Sequence, residues 1–333
     1  MIPDCINDTK YYYVGLILLI GDDRTADNKL KRIIYEFPAR ETTDGAGVRL
    51  KRVFGGNRHD LTDPFLLLDN FGSNRIEEYI SGFPWHPHRG IQTVTYLLEG
   101  KIEHEDSEGN RGVIYPKDLQ WMTAGSGIFH QEMPKPLDDK DPAELLKSKG
   151  FPTSVVGMQL WLNIPAKDKM TKPSYRGIKG STTPVTDNGD GSNVKIISGI
   201  YEGVEGSFVP GGRLDPTYLD VSMEPESEFR MDLKPGYTTI IYIISGSVEI
   251  LSANNSRKEM HPSIAYVMSR EENLLKLETG FTKARFILLN GSPLNEPVSW
   301  YGPIVMNTQE QINQAILDLR NNNFVRDKNP NFL

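Results

Sequence analysis

Cysteine is almost absent from this sequence. Cys5 is the one thiol among 333 residues, which excludes a disulfide framework and any cysteine-based zinc site. Basic residues are outnumbered: 37 Lys and Arg stand against 44 Asp and Glu, a formal net charge of −7. A nucleic-acid-binding surface needs a basic patch that releases counterions, so direct DNA or RNA binding is not expected. Histidine is scarce, at six, and a bound metal would depend on these and on carboxylates. Long apolar runs are missing too. Tyr11 to Ile20 is apolar throughout, but a membrane helix needs roughly 20 such residues. The run is also a poor signal peptide. Asp4 and Asp8 precede it with only Lys10 to oppose them, and Gly21-Asp22-Asp23 follows in place of a small-x-small cleavage site. It reads as a buried strand or a locally ordered tail. The expected setting is a reducing intracellular compartment, cytoplasmic or nuclear, which one unpaired thiol suits.

The length predicts two domains, and 30 Gly with 22 Pro predict many turns. Residues 1–32 form an extension of unclear role. From Ile33 the chain reads as short strands: Arg49–Phe54 before the turn Gly55-Gly56-Asn57, then Phe65–Leu68, Thr93–Leu98 and Lys101–Glu105. Hairpins at intervals of about 8–12 residues predict an all-β sandwich or barrel. Residues 134–155 interrupt the strands. There Asp141-Pro142 opens a run of helix formers to Lys147, which predicts a short helix. Residues 165–193 are polar and turn-rich, the best linker. A second strand block runs from Val194 to about Leu289, with Thr238–Ile244 its clearest strand. Tyr96-Leu97-Leu98-Glu99-Gly100 and Tyr242-Ile243-Ile244-Ser245-Gly246 share a cadence, which points to two similar β domains, divided here as 33–170 and 171–333. Near the end, Thr308-Gln309-Glu310-Gln311 is a capping box. Ile312, Ala315, Ile316 and Leu319 follow at helical spacing, so an amphipathic helix is predicted over about 308–321.

The chemistry-bearing region is Trp85-His86-Pro87-His88-Arg89-Gly90. On an extended strand His86 and His88 point the same way, and some 42 residues later His130-Gln131-Glu132 is a second same-face pair. Three imidazoles and a carboxylate brought together across a small barrel would make a mixed N/O site for one divalent first-row metal such as iron, although Mn, Co, Ni and Cu accept the same ligands. The other histidines read as ordinary: His59 in a polar turn, His104 alternating with Glu103 and Glu105 on the outside of a hairpin, His261 alone in the second block. Gly45-Ala46-Gly47 lacks the third glycine of a dinucleotide fingerprint. Asp187-Asn188-Gly189-Asp190-Gly191 lacks the spacing and the final Glu of a calcium loop. Both are turns.

From about residue 34 to 325 the chain resembles the pirin family of bicupin proteins. The resemblance is carried by Ala39-Arg40-Glu41-Thr42, Asp63–Asp69, His86-Pro87-His88-Arg89-Gly90, Leu119–Gly125, Gln159–Asn163 and Gly302–Thr308. It implies two consecutive cupin (jelly-roll-type) β-barrels followed by the short helix. It implies one Fe(2+) held by His86, His88, His130 and Glu132 in the N-terminal barrel, and a C-terminal barrel without ligands. Residues 194–289, with His261 as their single histidine, agree with that. The sequence departs from the family at Gln92, where an acid is frequent, at Lys117 in the Pro-Gly-Asp turn and at Gln131 between the last two ligands. Residues 137–155 are longer than the family norm and follow the ligand strand, where they could lie over the site mouth.

Two functions follow from the resemblance. One is a quercetin 2,3-dioxygenase: dioxygen and a flavonol-like small molecule meet at the metal, Glu132 takes the proton of the flavonol 3-hydroxyl, and the ring opens with loss of carbon monoxide. The other is a redox-sensing, iron-binding transcriptional co-regulator that binds a protein partner, which an acidic chain permits. A metal-binding protein without turnover is the third option. No membrane contact is expected, and a monomer is.

Overall fold

The computed structural model describes residues 29–56, 58–138, 153–187, 189–208, 214–253 and 256–326. The apolar run at 11–20 and the helix predicted at 141–147 lie outside them. Among the described residues the chain builds two cupin barrels, each a seven-stranded sheet facing a four-stranded one, and no helix is long and apolar enough to cross a membrane.

In the first barrel the large sheet runs in the order Ser174–Ile178, Leu119–Thr123, Ile91–Glu99, Val155–Asn163, Phe65–Ser73, Val48–Gly55, Arg40–Asp44. The small sheet is Phe83–His88, Ile128–Lys135, Lys101–Asp106, Arg111–Ile114. The second barrel repeats the plan, with Ile33–Pro38, Ile264–Met268, Thr238–Ser245, Ala284–Gly291, Thr217–Met223, Ser192–Ser198 and Val185–Asp187 in its large sheet. The strands bearing the shared cadence, Ile91–Glu99 and Thr238–Ser245, hold the same third place in their sheets. The sheets do not divide at residues 32 and 170, however. Ile33–Pro38 precedes the first barrel in sequence yet pairs with Ile264–Met268 of the second, while Ser174–Ile178 closes the edge of the first. Each edge needs a partner for its open backbone groups, and the chain entering and leaving the first barrel supplies both.

The two large sheets pack face to face. This explains why their central strands read as unbroken apolar runs rather than alternating ones: both faces are covered. In Thr238–Ser245, Ile241 and Ile243 point into their own barrel, while Ile240 and Tyr242 join Val94, Tyr96, Trp121, Tyr218 and Ile287 in the core between the barrels. A charged cluster crosses this seam. The Tyr96 hydroxyl donates to Asp220 Oδ2 at 2.6 Å, and Arg285 grips the same carboxylate through Nε at 2.8 Å and Nη2 at 2.6 Å.

The helix forms over Gln309–Arg320 as the capping box predicts. Thr308 Oγ1 accepts from Gln311 N at 3.3 Å, and Gln311 Oε1 accepts from Thr308 N at 3.1 Å. Its buried Ile312 and Ala315 pack on Ile304, Met306 and Phe324. This fastens the C-terminal segment against the first barrel, beside the strand that carries two of the histidines.

Truncating Ile287 to Ala opens a cavity in the seam. It is expected to cost about 2–5 kcal/mol, read as a lowered urea midpoint for both barrels together.

Candidate metal centre

Pro84 and Pro87 interrupt the hydrogen-bonding capacity of Phe83–His88, so this strand belongs at a sheet edge, and it lies there, paired on one side with Ile128–Lys135. The ladder sets His86 opposite His130 and Ile128 opposite His88, with a register shift between His130 and Glu132. Along Ile128–Lys135 burial alternates, so His130 and Glu132 face the barrel interior while Gln131 faces outward and donates to Glu105 at 3.3 Å. The ring centroids of His86, His88 and His130 are 4.3–5.0 Å apart. Each of the three offers a nitrogen within 4.8 Å of the others.

The hydrogen bonds prepare these rings for ligation. His86 Nδ1 lies 2.8 Å from the Pro84 carbonyl and His88 Nδ1 lies 3.2 Å from the Pro303 carbonyl. A carbonyl only accepts, so each Nδ1 carries the proton and each Nε2 keeps its lone pair. His130 is 1% exposed, and neither of its ring nitrogens has a partner among the described residues. Burial holds all three imidazoles neutral. The pKa of His86 is lowered by desolvation, and those of His88 and His130 fall well below the usual value through desolvation and the neighbouring imidazoles. Neutral imidazole is the metal-binding form.

Glu132 projects into the same space but stands outside the three-histidine cluster. Its Oε1 accepts from Thr95 Oγ1 at 2.8 Å, and Thr95 Oγ1 also lies 2.7 Å from the side-chain oxygen of Gln159. One hydroxyl proton cannot serve both. Turning the Gln159 amide makes its nitrogen the donor and yields a directed chain, Gln159 to Thr95 to Glu132. Burial pushes the Glu132 carboxyl up to about 7, opposed by the Thr95 bond.

A cavity of about 890 Å³ reaches this cluster. Its walls are mostly apolar or aromatic, among them Leu50, Phe71, Phe83, Ile102, Trp161 and Trp300. Arg52 forms the polar wall, bonded to Asp69 through Nε at 3.0 Å and Nη2 at 2.9 Å and to Asp44 at 2.9 Å. Trp161 stands edge-on to His88 and stacks on Trp300 with centroids 5.9 Å apart. Trp300 and Pro303 come from the far end of the chain, so residues about 215 positions apart complete one site. No local spacing signals that, and none marked Thr95, Gln159 or the Arg52–Asp69 pair.

The other expectations sort as follows. Gln92 accepts from the Trp121 indole at 3.0 Å, and Lys117 takes a left-handed φ of 73° in its turn, the conformation that a glycine adopts without steric cost. His261 is exposed, 3.8 Å from Glu259. His59 opens the short helix His59–Thr62 and lines the cavity. His104 is not on the outside of its hairpin. Its strand is flanked on both sides in the small sheet, and Ile102, His104 and Asp106 face inward while Glu103 and Glu105 face out. It stacks on Tyr175 and shares a 2.8 Å hydrogen bond with the phenol oxygen. Of the segment at 137–155, residues 139–152 lie outside the described residues.

The sequence pattern of the Pirin family matches residues 47–162, and that of the Pirin C-terminal cupin domain matches residues 218–325. A Thermoplasma acidophilum protein provisionally named a quercetin 2,3-dioxygenase is 41% identical over 266 residues, covering 78% of this chain and 98% of its own. Human pirin is 38% identical over 301 residues, covering 90% and 96%. The crystal structure of quercetin 2,3-dioxygenase from Acinetobacter baumannii superposes with a TM-score of 0.76 at 29% identity, covering 89% and 98%.

His104 carries a pH dependence of its own. Burial lowers its pKa to about 4 from the ordinary 6.5, so the unfolded chain takes up this proton first. The neutral ring's contribution is complete above pH 6.5 and lost as pH falls towards 4, on the order of 3 kcal/mol in all. In metal-free protein His86, His88 and His130 add a dependence of the same sign, so His104→Gln is expected to make the fall of stability across that window shallower than in the wild type, measured by denaturation at pH 4 to 8.

Proposed function

The chain belongs to the pirin family, and on that premise we propose that it is a metal-dependent dioxygenase of the quercetin 2,3-dioxygenase type, acting on a flavonol-like small molecule. One observation carries this reading. His130 is fully buried with both ring nitrogens unpartnered among the described residues, and one nitrogen of each of His86, His88 and His130 lies within 4.8 Å of the others. Buried polar atoms are left unmade only at a cost, and a bound cation removes it. The donor set fits a first-row divalent ion. His86, His88 and His130 would hold it through nitrogen and Glu132 through oxygen, and we assign iron(II). When bound, that ion supplies Lewis acidity to a phenolic hydroxyl and electrons for dioxygen chemistry.

The protein's own groups do the rest. Glu132 is the base for the flavonol 3-hydroxyl. Thr95 occupies Oε1, which leaves Oε2 and the remaining lone pairs for a ligand or a proton. The aromatic walls suit a flat, largely apolar ring system, and the cavity is within the size range of small-molecule sites, about 300–1,000 Å³. Gln159 and the Arg52–Asp69 pair offer hydrogen bonds to ring hydroxyls.

Chelator-treated protein reloaded with iron(II) is expected to consume oxygen in the presence of quercetin. Glu132→Ala should reduce the rate by on the order of a hundredfold or more. An iron-loaded protein without uptake, or a Glu132→Ala variant as fast as the wild type, would sink the assignment.

A further inference from the structure

Lys169 is a buried cation with no role in the chemistry derived so far. It is 1% exposed, lies between the strands Val155–Asn163 and Ser174–Ile178 of the first barrel's large sheet, and its hydrogen-bond partners among the described residues include no carboxylate. Its Nζ instead meets three neutral oxygens: the Gly90 carbonyl at 2.8 Å, Asn163 Oδ1 at 2.7 Å and the Val305 carbonyl at 3.0 Å. Three acceptors need three donated protons, and only the ammonium has them. The Asn163 amide is oriented to match, with its oxygen toward the ammonium and its nitrogen left without a partner. Burial draws the Lys169 pKa down to about 7, with Glu296 opposing it from a distance.

The three oxygens belong to segments that meet at the histidines. Gly90 is two residues past His88, in a turn at φ +77°, and an added Cβ there would lie 2.0 Å from the Val305 carbonyl. Val305 is two residues past Pro303, whose carbonyl receives the His88 Nδ1 proton. Val305 N also donates to the Arg89 carbonyl at 3.1 Å. We propose that Lys169 is a positioning residue for the metal centre: its ammonium clamps the turn after His88 to the C-terminal strand, and thereby fixes the distance between His88 and the carbonyl that aims it. Outer groups of this kind set ligand orientation and basicity at metal sites. The inference rests on the metal-site reading above.

Cobalt(II) is the probe, because its visible absorption reports coordination geometry directly. Metal-free wild type, Lys169→Met, Lys169→Gln and Lys31→Met are titrated with it, with affinity read by competition against a coloured chelator. Lys31 is the control: it is equally buried, bonded to the Ser269 carbonyl in the second barrel. Wild type and Lys31→Met are expected to bind one cobalt alike. Both Lys169 variants should keep the β-sheet circular dichroism, lose about tenfold or more in affinity and show displaced absorption bands. Unchanged affinity and spectrum in both variants overturn the positioning role and leave the metal site standing. A wild type that binds no cobalt overturns the metal-site reading and this inference together. Failure of both Lys169 variants to fold, with cobalt present, assigns the residue to stability and also overturns it.

Discussion

His86 faces His130 across one antiparallel ladder, and the geometry of the site depends on that pairing. Two side chains opposite each other on a ladder come within about 4.5–5.5 Å. The alternation of strand side chains then brings His88 and Glu132 to the same interior face. The constraint is local and backbone-made. Its consequence is energetic: buried nitrogens are held together without partners, a state that a bound cation relieves.

Among the described residues the interior of the second barrel is lined by aliphatic and aromatic side chains such as Tyr201, Phe229, Phe286 and Leu288, and the one histidine of that block, His261, is exposed. That barrel's large sheet covers one face of the first barrel's large sheet, and the exchange of edge strands ties the two together. Beyond it, the C-terminal segment returns to the first barrel. There the Arg89 guanidinium donates to Asp318 at 2.7 Å and to the Phe324 carbonyl at 2.9 Å, directly after the His88 position. Lys169, Pro303, Asp318 and Phe324 thus surround the end of one histidine strand with groups drawn from later parts of the chain.

Much of this could be read from residue order. Two similar β domains follow from strand cadence and their cupin form from the family resemblance, the helix follows from a capping box, and the shared face of His86 with His88 and of His130 with Glu132 follows from their i, i+2 spacing. The same rule of alternation misled at His104. A histidine between two glutamates looks like part of a polar surface until the strand is known to lie mid-sheet, where the glutamates alone face water. The domain division at residue 170 likewise treated sequence neighbours as sheet neighbours, whereas edge strands pair wherever an open ladder is offered.

Local order therefore settled what depends on near neighbours: strand, turn and cap, and which side chains share a face, because strand geometry repeats every two residues. Long-range packing settled what has no local signature. That His88 is aimed by Pro303, that Trp300 closes the cavity wall and that Lys169 finds three carbonyl-type oxygens rather than a carboxylate all depend on segments separated by up to about 215 residues. Such contacts arise only when burial of both barrel faces brings those segments together, and no spacing in the chain encodes them.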